Sequence, residues 1–226
     1  MSKINYTIPI IVSTVAEAEK MIKDHISSYS FLEIWLDYIT DLNTESLASL
    51  ISLLNGQGIF LFRRKNLEHT ILSQGKRFEF ISLLTSKNCL IDLDLTSQLE
   101  ELDYLHSLSG SKRLISSYHN YSHTPTLSEL HSLLSTMERY SPEIFKFSAL
   151  CNDPEDALRL LQFQLELKEQ KLKHIVLGMG EHGVVTRIFG TIWGNELVFA
   201  PLSKDSSSAP GQLSKVALEA IFKNLS

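Results

Sequence analysis

Eight short apolar runs, separated by longer amphipathic stretches, constrain this chain more than any other feature. They fall at residues 8–13, 31–38, 58–63, 89–95, 113–119, 144–150, 174–179 and 197–201. They recur about every 27 residues, which leaves room for a helix in most gaps. Strand, helix, strand, eight times over, is the pattern of a (β/α)8 TIM barrel, an α/β fold. An open doubly wound sheet uses the same alternation, but with fewer strands and often a glycine-rich phosphate loop after the first. Here Ser13-Thr14-Val15-Ala16 takes that place, without a glycine.

The gaps carry helix signals. Capping boxes are expected at Thr14 with Glu17, Ser97 with Glu100, and Thr126 with Glu129. Asp153-Pro154-Glu155 opens another helix, with proline where its missing N–H costs nothing. The gap between Met179 and Leu197 is short, so the seventh helix is expected to be abbreviated or irregular. No linker rich in proline, glycine or serine divides the chain, and residues 1–226 read as one barrel domain with a loose segment at 203–208.

Composition narrows the function. With 226 residues, 43% hydrophobic and 21% charged, the chain can build a sizeable core. A net charge of -5 and a pI near 5.9, with no block of lysine and arginine, argue against a nucleic-acid surface and for a small-molecule substrate. Cys89 and Cys151 lie beside apolar runs without metal-ligand spacing, which fits reduced core residues. No charged leader and no membrane-length apolar run stand out, so a cytoplasmic location, with no membrane partner, is the default.

Alternation along strands then sorts side chains by face. In Ile144-Phe145-Lys146-Phe147-Ser148-Ala149-Leu150, the phenylalanines suit the helix layer and Lys146 points inward. A lysine in such a run pairs, snorkels, or loses its proton readily, and the last state suits an imine-forming amine. The same argument puts Glu33, Trp35 and Asp37 inside on the second strand, Asp92 and Asp94 on the fourth, and Ile115, Ser117 and His119 on the fifth. Arg63 ends the third. Several polar groups thus converge on the carboxyl end of the strands, where barrel enzymes keep their chemistry.

Four ordered segments resemble the type I 3-dehydroquinate dehydratases: Ser117-Tyr118-His119-Asn120, Phe145-Lys146-Phe147, Gly178-Met179-Gly180-Glu181-His182-Gly183-Val184-Val185-Thr186-Arg187, and Ser208-Ala209-Pro210-Gly211-Gln212. Glu33-Ile34-Trp35-Leu36-Asp37 and Phe62-Arg63 extend the likeness less closely into the amino-terminal half. The resemblance implies dehydration of 3-dehydroquinate to 3-dehydroshikimate in the shikimate pathway of aromatic amino-acid biosynthesis, without metal or organic cofactor, by a homodimer. It implies that Lys146 forms a Schiff base with the substrate ketone and that His119 is the acid–base partner. Arg187 would hold the substrate carboxylate, Ser208 and Gln212 would belong to a closing lid with 203–207 as its mobile part, and Glu33 and Arg63 would face the hydroxyl-bearing side.

Two places depart from the family pattern. Trp35 stands where the family usually has an arginine. After Arg63, the usual glutamate four residues on and the glycines behind it are missing, and Glu68 comes one place late. Either Glu68 or Asp94 orients His119, or the histidine works without a carboxylate partner. Family members also often carry an amino-terminal hairpin, whereas this chain enters its first strand almost at once, so a less covered barrel floor is expected.

Competing readings are few. Another imine-forming barrel enzyme of the class I aldolase type also places a lysine on strand six, but lacks the segment from Ser208 to Gln212. A catalytically weak homologue that binds pathway metabolites as a regulator is suggested by Trp35 and the missing glutamate. Asp92 and Asp94 could pass for a metal pair, yet no third ligand has suitable spacing, and a structural role is expected. His123 and His182 are read as loop residues outside the family's catalytic set.

Overall fold

The computed structural model describes residues 4–64, 71–203, 206 and 208–225. Its strands are β1 (Tyr6–Ile10), β2 (Phe31–Trp35), β3 (Gly58–Leu61), β4 (Leu90–Asp94), β5 (Arg113–Asn120), β6 (Ile144–Leu150), β7 (His174–Met179) and β8 (Val198–Phe199). Between and after them come α1 (Val15–His25), α2 (Thr44–Leu54), α3 (Gln74–Ser86), α4 (Leu99–Ser107), α5 (Leu127–Glu138), α6 (Pro154–Glu169), α7 (Gly180–Trp193) and α8 (Lys215–Leu225). The strands form one sheet in the order β7-β6-β5-β4-β3-β2-β1-β8. The fold is the expected (β/α)8 barrel. Two compact units divide the chain: Ile8–Ile115, and Ser116–Ser226 with Met1–Thr7.

In Ile8–Ile115, β2, β3 and β4 run parallel, with Trp35 opposite Leu61 and Leu61 opposite Asp92. In the other unit, β6 and β7 pair in parallel from Phe145 opposite His174 to Leu150 opposite Met179. Phe147 meets the Phe163 ring of α6 edge-on at 4.9 Å, while Lys146 places its Nζ 4.5 Å from the centre of the Phe199 ring on β8. A β6 side chain reaches β8, past the intervening β7, only on the concave face. The expected alternation on β6 therefore holds. Between β7 and β8, Asn195 stands in for a strand residue. Its Oδ1 accepts from the Val176 N–H at 2.8 Å and its Nδ2 donates to the Val176 carbonyl at 3.0 Å. The Glu196 N–H adds a bond to the His174 carbonyl at 2.9 Å.

The capping boxes at Thr14 and Thr126 form, and Asp153 caps α6 with Pro154 in its first turn. The box expected at Ser97 does not form. Asp94 captures Ser97 instead, through both its N–H and its hydroxyl, and α4 starts after Gln98 without a side-chain cap. The expectation of an abbreviated seventh helix is also wrong. Helix α7 has 14 residues and begins directly at the end of β7, so the gap holds a full helix and almost no loop. Asp37 does not continue the inner face of β2, because that strand ends at Trp35 and residues Leu36–Tyr38 form a 3-10 turn.

Candidate active site

Lys146 is the third residue of β6 and is 6% exposed, and Ile144 to Ala149 are all buried. The Phe199 ring presents its face to the Lys146 Nζ. His119 lies one residue from the carboxyl end of β5, the neighbour of β6 in the sheet. It is half-buried, and its ring stacks on Tyr121 with centroids 6.4 Å apart. The turn beyond it is built by Asn120, whose Oδ1 accepts from the Ser122 N–H at 2.9 Å and the His123 N–H at 3.1 Å. His123 is an exposed member of that turn.

Arg187 is the most unusual group in this unit. It projects from α7, is 1% exposed and, among the described residues, donates only a long 3.4 Å bond from Nη2 to the Pro210 carbonyl. Among the described residues, its Nε and Nη1 are buried without a hydrogen-bond partner. Burial pushes its pKa down to about 10, still far above neutrality, so the guanidinium keeps its charge. A buried, incompletely paired cation is costly unless an anion completes it.

Glycines make this arrangement possible. A Cβ on Gly183 would lie 2.3 Å from the Gly178 carbonyl carbon, so only glycine lets α7 start hard against β7. Thr186 locks the junction, accepting from the Gly178 N–H at 2.7 Å and donating to the Gly183 carbonyl at 2.7 Å. Gly211, at φ +83°, lies on the Gly180 backbone, where a Cβ would come within 2.8 Å of the Gly180 oxygen. The segment carrying Ser208 and Gln212 is thereby laid across the start of α7. Gln212 closes it, accepting from the Ser208 N–H at 2.9 Å and donating to the Ser208 hydroxyl at 3.0 Å. The structure thus brings Arg187, Pro210, Ser208 and Gln212 together.

In Ile8–Ile115, Glu33 is 2% exposed and Trp35 is 6% exposed. The Trp35 indole N–H donates to Glu33 Oε2 at 2.9 Å, which confirms that they share a face. The buried Arg64 lies with its Cζ 5.7 Å from the Trp35 ring centre. Arg63 stands two residues beyond the end of β3 rather than at it, its Cζ 3.2 Å above the Tyr38 ring. Asp94 Oδ1 accepts from Thr96 and Ser97, two bonds from each, which gives this carboxylate a turn-building role. Glu68 lies outside the described residues. Cys89 and Cys151 are both free thiols, and burial pushes the Cys89 pKa up to about 11 and raises that of Cys151. Cys151 is buried as expected, whereas Cys89 is only half-buried.

Sequence reasoning missed Arg77, which proves to be fully buried, and Phe199 beneath Lys146. A signal for Arg77 existed: with Phe80, Ile81 and Leu84 it occupies the buried stripe of α3 at helical spacing.

The strands present a buried lysine and a half-buried histidine, and a guanidinium incompletely paired among the described residues lies against the segment that carries Pro210. The family described as type I 3-dehydroquinase matches residues 6–226. A 3-dehydroquinate dehydratase from Methanococcus vannielii is 31% identical over 223 residues, covering 95% of this chain and 97% of that protein. Its counterpart from Coxiella burnetii is 28% identical over 214 residues, 90% of this chain and 86% of that one. Among solved structures, the type I 3-dehydroquinate dehydratase of Clostridium difficile, with covalently modified comenic acid, superposes with a TM-score of 0.85 at 23% identity, covering 100% of this chain and 93% of that one. The enzyme of Aquifex aeolicus gives 0.78 at 24%, covering 98% of each. The chain belongs to the type I 3-dehydroquinase family, the hydro-lyases that act on 3-dehydroquinate in the shikimate pathway. No helix among the described residues is long and apolar enough to cross a membrane.

Proposed function

We propose that the chain dehydrates 3-dehydroquinate through an imine on Lys146, with His119 moving the protons and Arg187 holding the substrate carboxylate. The observation that carries this reading is Arg187, a buried guanidinium with two nitrogens lacking partners among the described residues. A carboxylate accepts from such a planar fork through two parallel charge-assisted bonds, and would relieve its incomplete pairing.

The unprotonated amine of Lys146 adds to the substrate ketone, and the carbinolamine loses water to give an iminium. The iminium draws electrons from the adjacent carbon, and His119 removes a proton there to leave an enamine. The enamine expels the β-hydroxyl, which takes a proton from His119 and departs as water. Hydrolysis then returns the Lys146 amine and releases 3-dehydroshikimate. One water is made and one consumed at the imine, so the net change is the loss of one water from substrate. Ser208 and Gln212 close over the substrate, an assignment supported by their mutual bonds and by Pro210 on Arg187. Glu33 and Arg63 are assigned to its hydroxyl-bearing side.

The same reading makes the chain a cytoplasmic homodimer that needs no metal or organic cofactor; the free cysteines suit a reducing compartment. A steady-state assay with 3-dehydroquinate, read by ultraviolet absorbance of the conjugated product, tests the function. Turnover is expected. Binding without turnover would instead point to a metabolite-binding homologue.

A further inference from the structure

Arg77 forms an ionic cluster in Ile8–Ile115 that the reaction scheme leaves unused. Its Nη1 donates to Glu101 Oε1 at 2.8 Å, and its Nη2 reaches both oxygens of Asp37, at 3.1 and 3.3 Å. Nη2 also donates to the Arg63 carbonyl at 2.8 Å. Asp37 in turn accepts from the Arg63 N–H at 2.8 Å and from the Leu72 N–H at 3.3 Å. One carboxylate therefore holds backbone on both sides of residues 65–70. Gln98 adds Nε2 donations to the Phe62 and Arg63 carbonyls at 3.3 and 3.5 Å. Arg77, Asp37 and Glu101 are each at most 1% exposed.

The convergence falls on one residue. Arg63 has its N–H held by Asp37 and its carbonyl held by Arg77 and Gln98, and its guanidinium lies over Tyr38, the neighbour of Asp37 in the same 3-10 turn. An arginine in the loop beyond a strand end gains no ladder bonds to fix its peptide. Here its N–H is fixed by buried Asp37 and its carbonyl by buried Arg77, charge-assisted bonds of 2.8 Å each, with Gln98 adding a longer contact.

We infer that Arg77, with Asp37, is a positioning residue for substrate recognition: it sets the backbone of Arg63 so that the Arg63 guanidinium is presented at a defined place. This rests on the reading of Arg63 as a substrate contact. Arg77 touches no substrate, so its loss acts through Arg63. A lysine at position 77 keeps the charge but cannot reach Asp37, Glu101 and the Arg63 carbonyl at once with a planar fork.

The test is a double-mutant cycle on KM and kcat for 3-dehydroquinate, using the parent, Arg63→Ala, Arg77→Lys and the double variant, with thermal unfolding of each. Arg63→Ala is expected to raise KM about tenfold or more, and Arg77→Lys to raise it about three- to tenfold while kcat falls less. In the Arg63→Ala background, Arg77→Lys adds no further rise. An equal rise in both backgrounds overturns the inference, because Arg77 then acts on the fold generally. An unchanged KM in Arg77→Lys, with a raised one in Arg63→Ala, overturns the positioning role while leaving the Arg63 contact standing. An unchanged KM in Arg63→Ala removes that contact and the inference with it. Should Arg77→Lys fail to fold, Asp37→Asn serves in the same cycle. The Arg63 and Leu72 N–H groups donate to different oxygens of Asp37, so the substitution turns one of those acceptors into an NH2 donor, and the same non-additive rise in KM is expected.

Discussion

Arg77 and Arg187 are buried to the same degree, each 1% exposed, and are partnered in opposite ways. Arg77, in Ile8–Ile115, directs both Nη atoms onto two carboxylates and a backbone carbonyl. Arg187, in Ser116–Ser226, reaches one carbonyl at 3.4 Å and leaves Nε and Nη1 without partners among the described residues. Burial is therefore no guide to what a charged residue is for; its partners are. Arg77 also leaves its Nε without a partner among the described residues, but its Nη atoms hold two carboxylates and backbone, whereas Arg187 has no such carboxylate among them.

The contrast extends to the units that carry them, with the chemistry assigned to one and positioning to the other. It is broken most severely at His119. His119→Ala should cut kcat by about two to four orders of magnitude, the usual worth of a positioned acid–base group, while leaving Lys146 able to form an imine. A variant that turns over like the parent would move the base elsewhere, with Glu33 the next candidate.

The two arginines should then differ in the sign of their effect on stability. Arg77→Met leaves Asp37 and Glu101 as buried carboxylates without their cation and should lose about 3–5 kcal/mol, roughly 10 °C in Tm. Arg187→Met removes an incompletely paired charge, so Tm should hold or rise while KM climbs steeply. Arg187→Lys should recover only part of the binding, since an ammonium cannot form the bidentate pair. If both methionine variants destabilise alike, Arg187 is structural after all.

A smaller effect is expected at Trp35. The indole offers one N–H, already given to Glu33, where an arginine would offer a charged fork. Trp35→Arg should tighten substrate binding by about 1.5–3 kcal/mol, one charge-assisted hydrogen bond. A variant with parental Tm and unchanged or weaker affinity would show that Trp35 belongs to the core, or that Arg64 above its ring already supplies the contact.

The smallest effect concerns His174 at the start of β7. Burial holds its imidazole below the ordinary 6.5, and its Nε2 is buried without a partner among the described residues. In the window below 6.5 the unfolded chain binds a proton that the folded chain refuses, so stability rises with pH there and is lost as pH falls through 6.5. Tm measured from pH 7.5 to 5.5 should fall less in His174→Phe than in the parent. Equal slopes would remove His174 as a source of acid sensitivity.

Much of the fold was legible because the buried strands read as unbroken apolar runs, and β6 and β7 match their expected bounds residue for residue. The failures have separate causes. Helix α7 was underestimated because the gap between Met179 and Leu197 looked short, yet the helix starts directly at the end of β7 and fills it, an approach that Gly183 allows because a Cβ there would lie 2.3 Å from the Gly178 carbonyl carbon. Asp37 was placed by carrying strand alternation two residues past the end of β2. The box at Ser97 was lost to Asp94, a competitor only four residues from the helix cap. Arg77 was passed over because its partners lie 40 and 24 residues away, and local spacing carries no trace of such pairing. Lys146 and His119 were picked out by short motifs, whereas the partner of His119 was sought at Glu68, outside the described residues, or at Asp94, whose Oδ1 accepts from Thr96 and Ser97.

The central claim is that Lys146 is the imine-forming amine, and borohydride trapping tests it most directly. Protein treated with 3-dehydroquinate and borohydride should lose activity irreversibly. Reduction converts the hydrolysable imine to a stable secondary amine, so peptide mass mapping should find one substrate-derived adduct, on Lys146. An adduct on a different lysine, or none while the untreated protein turns over fully, would contradict the account.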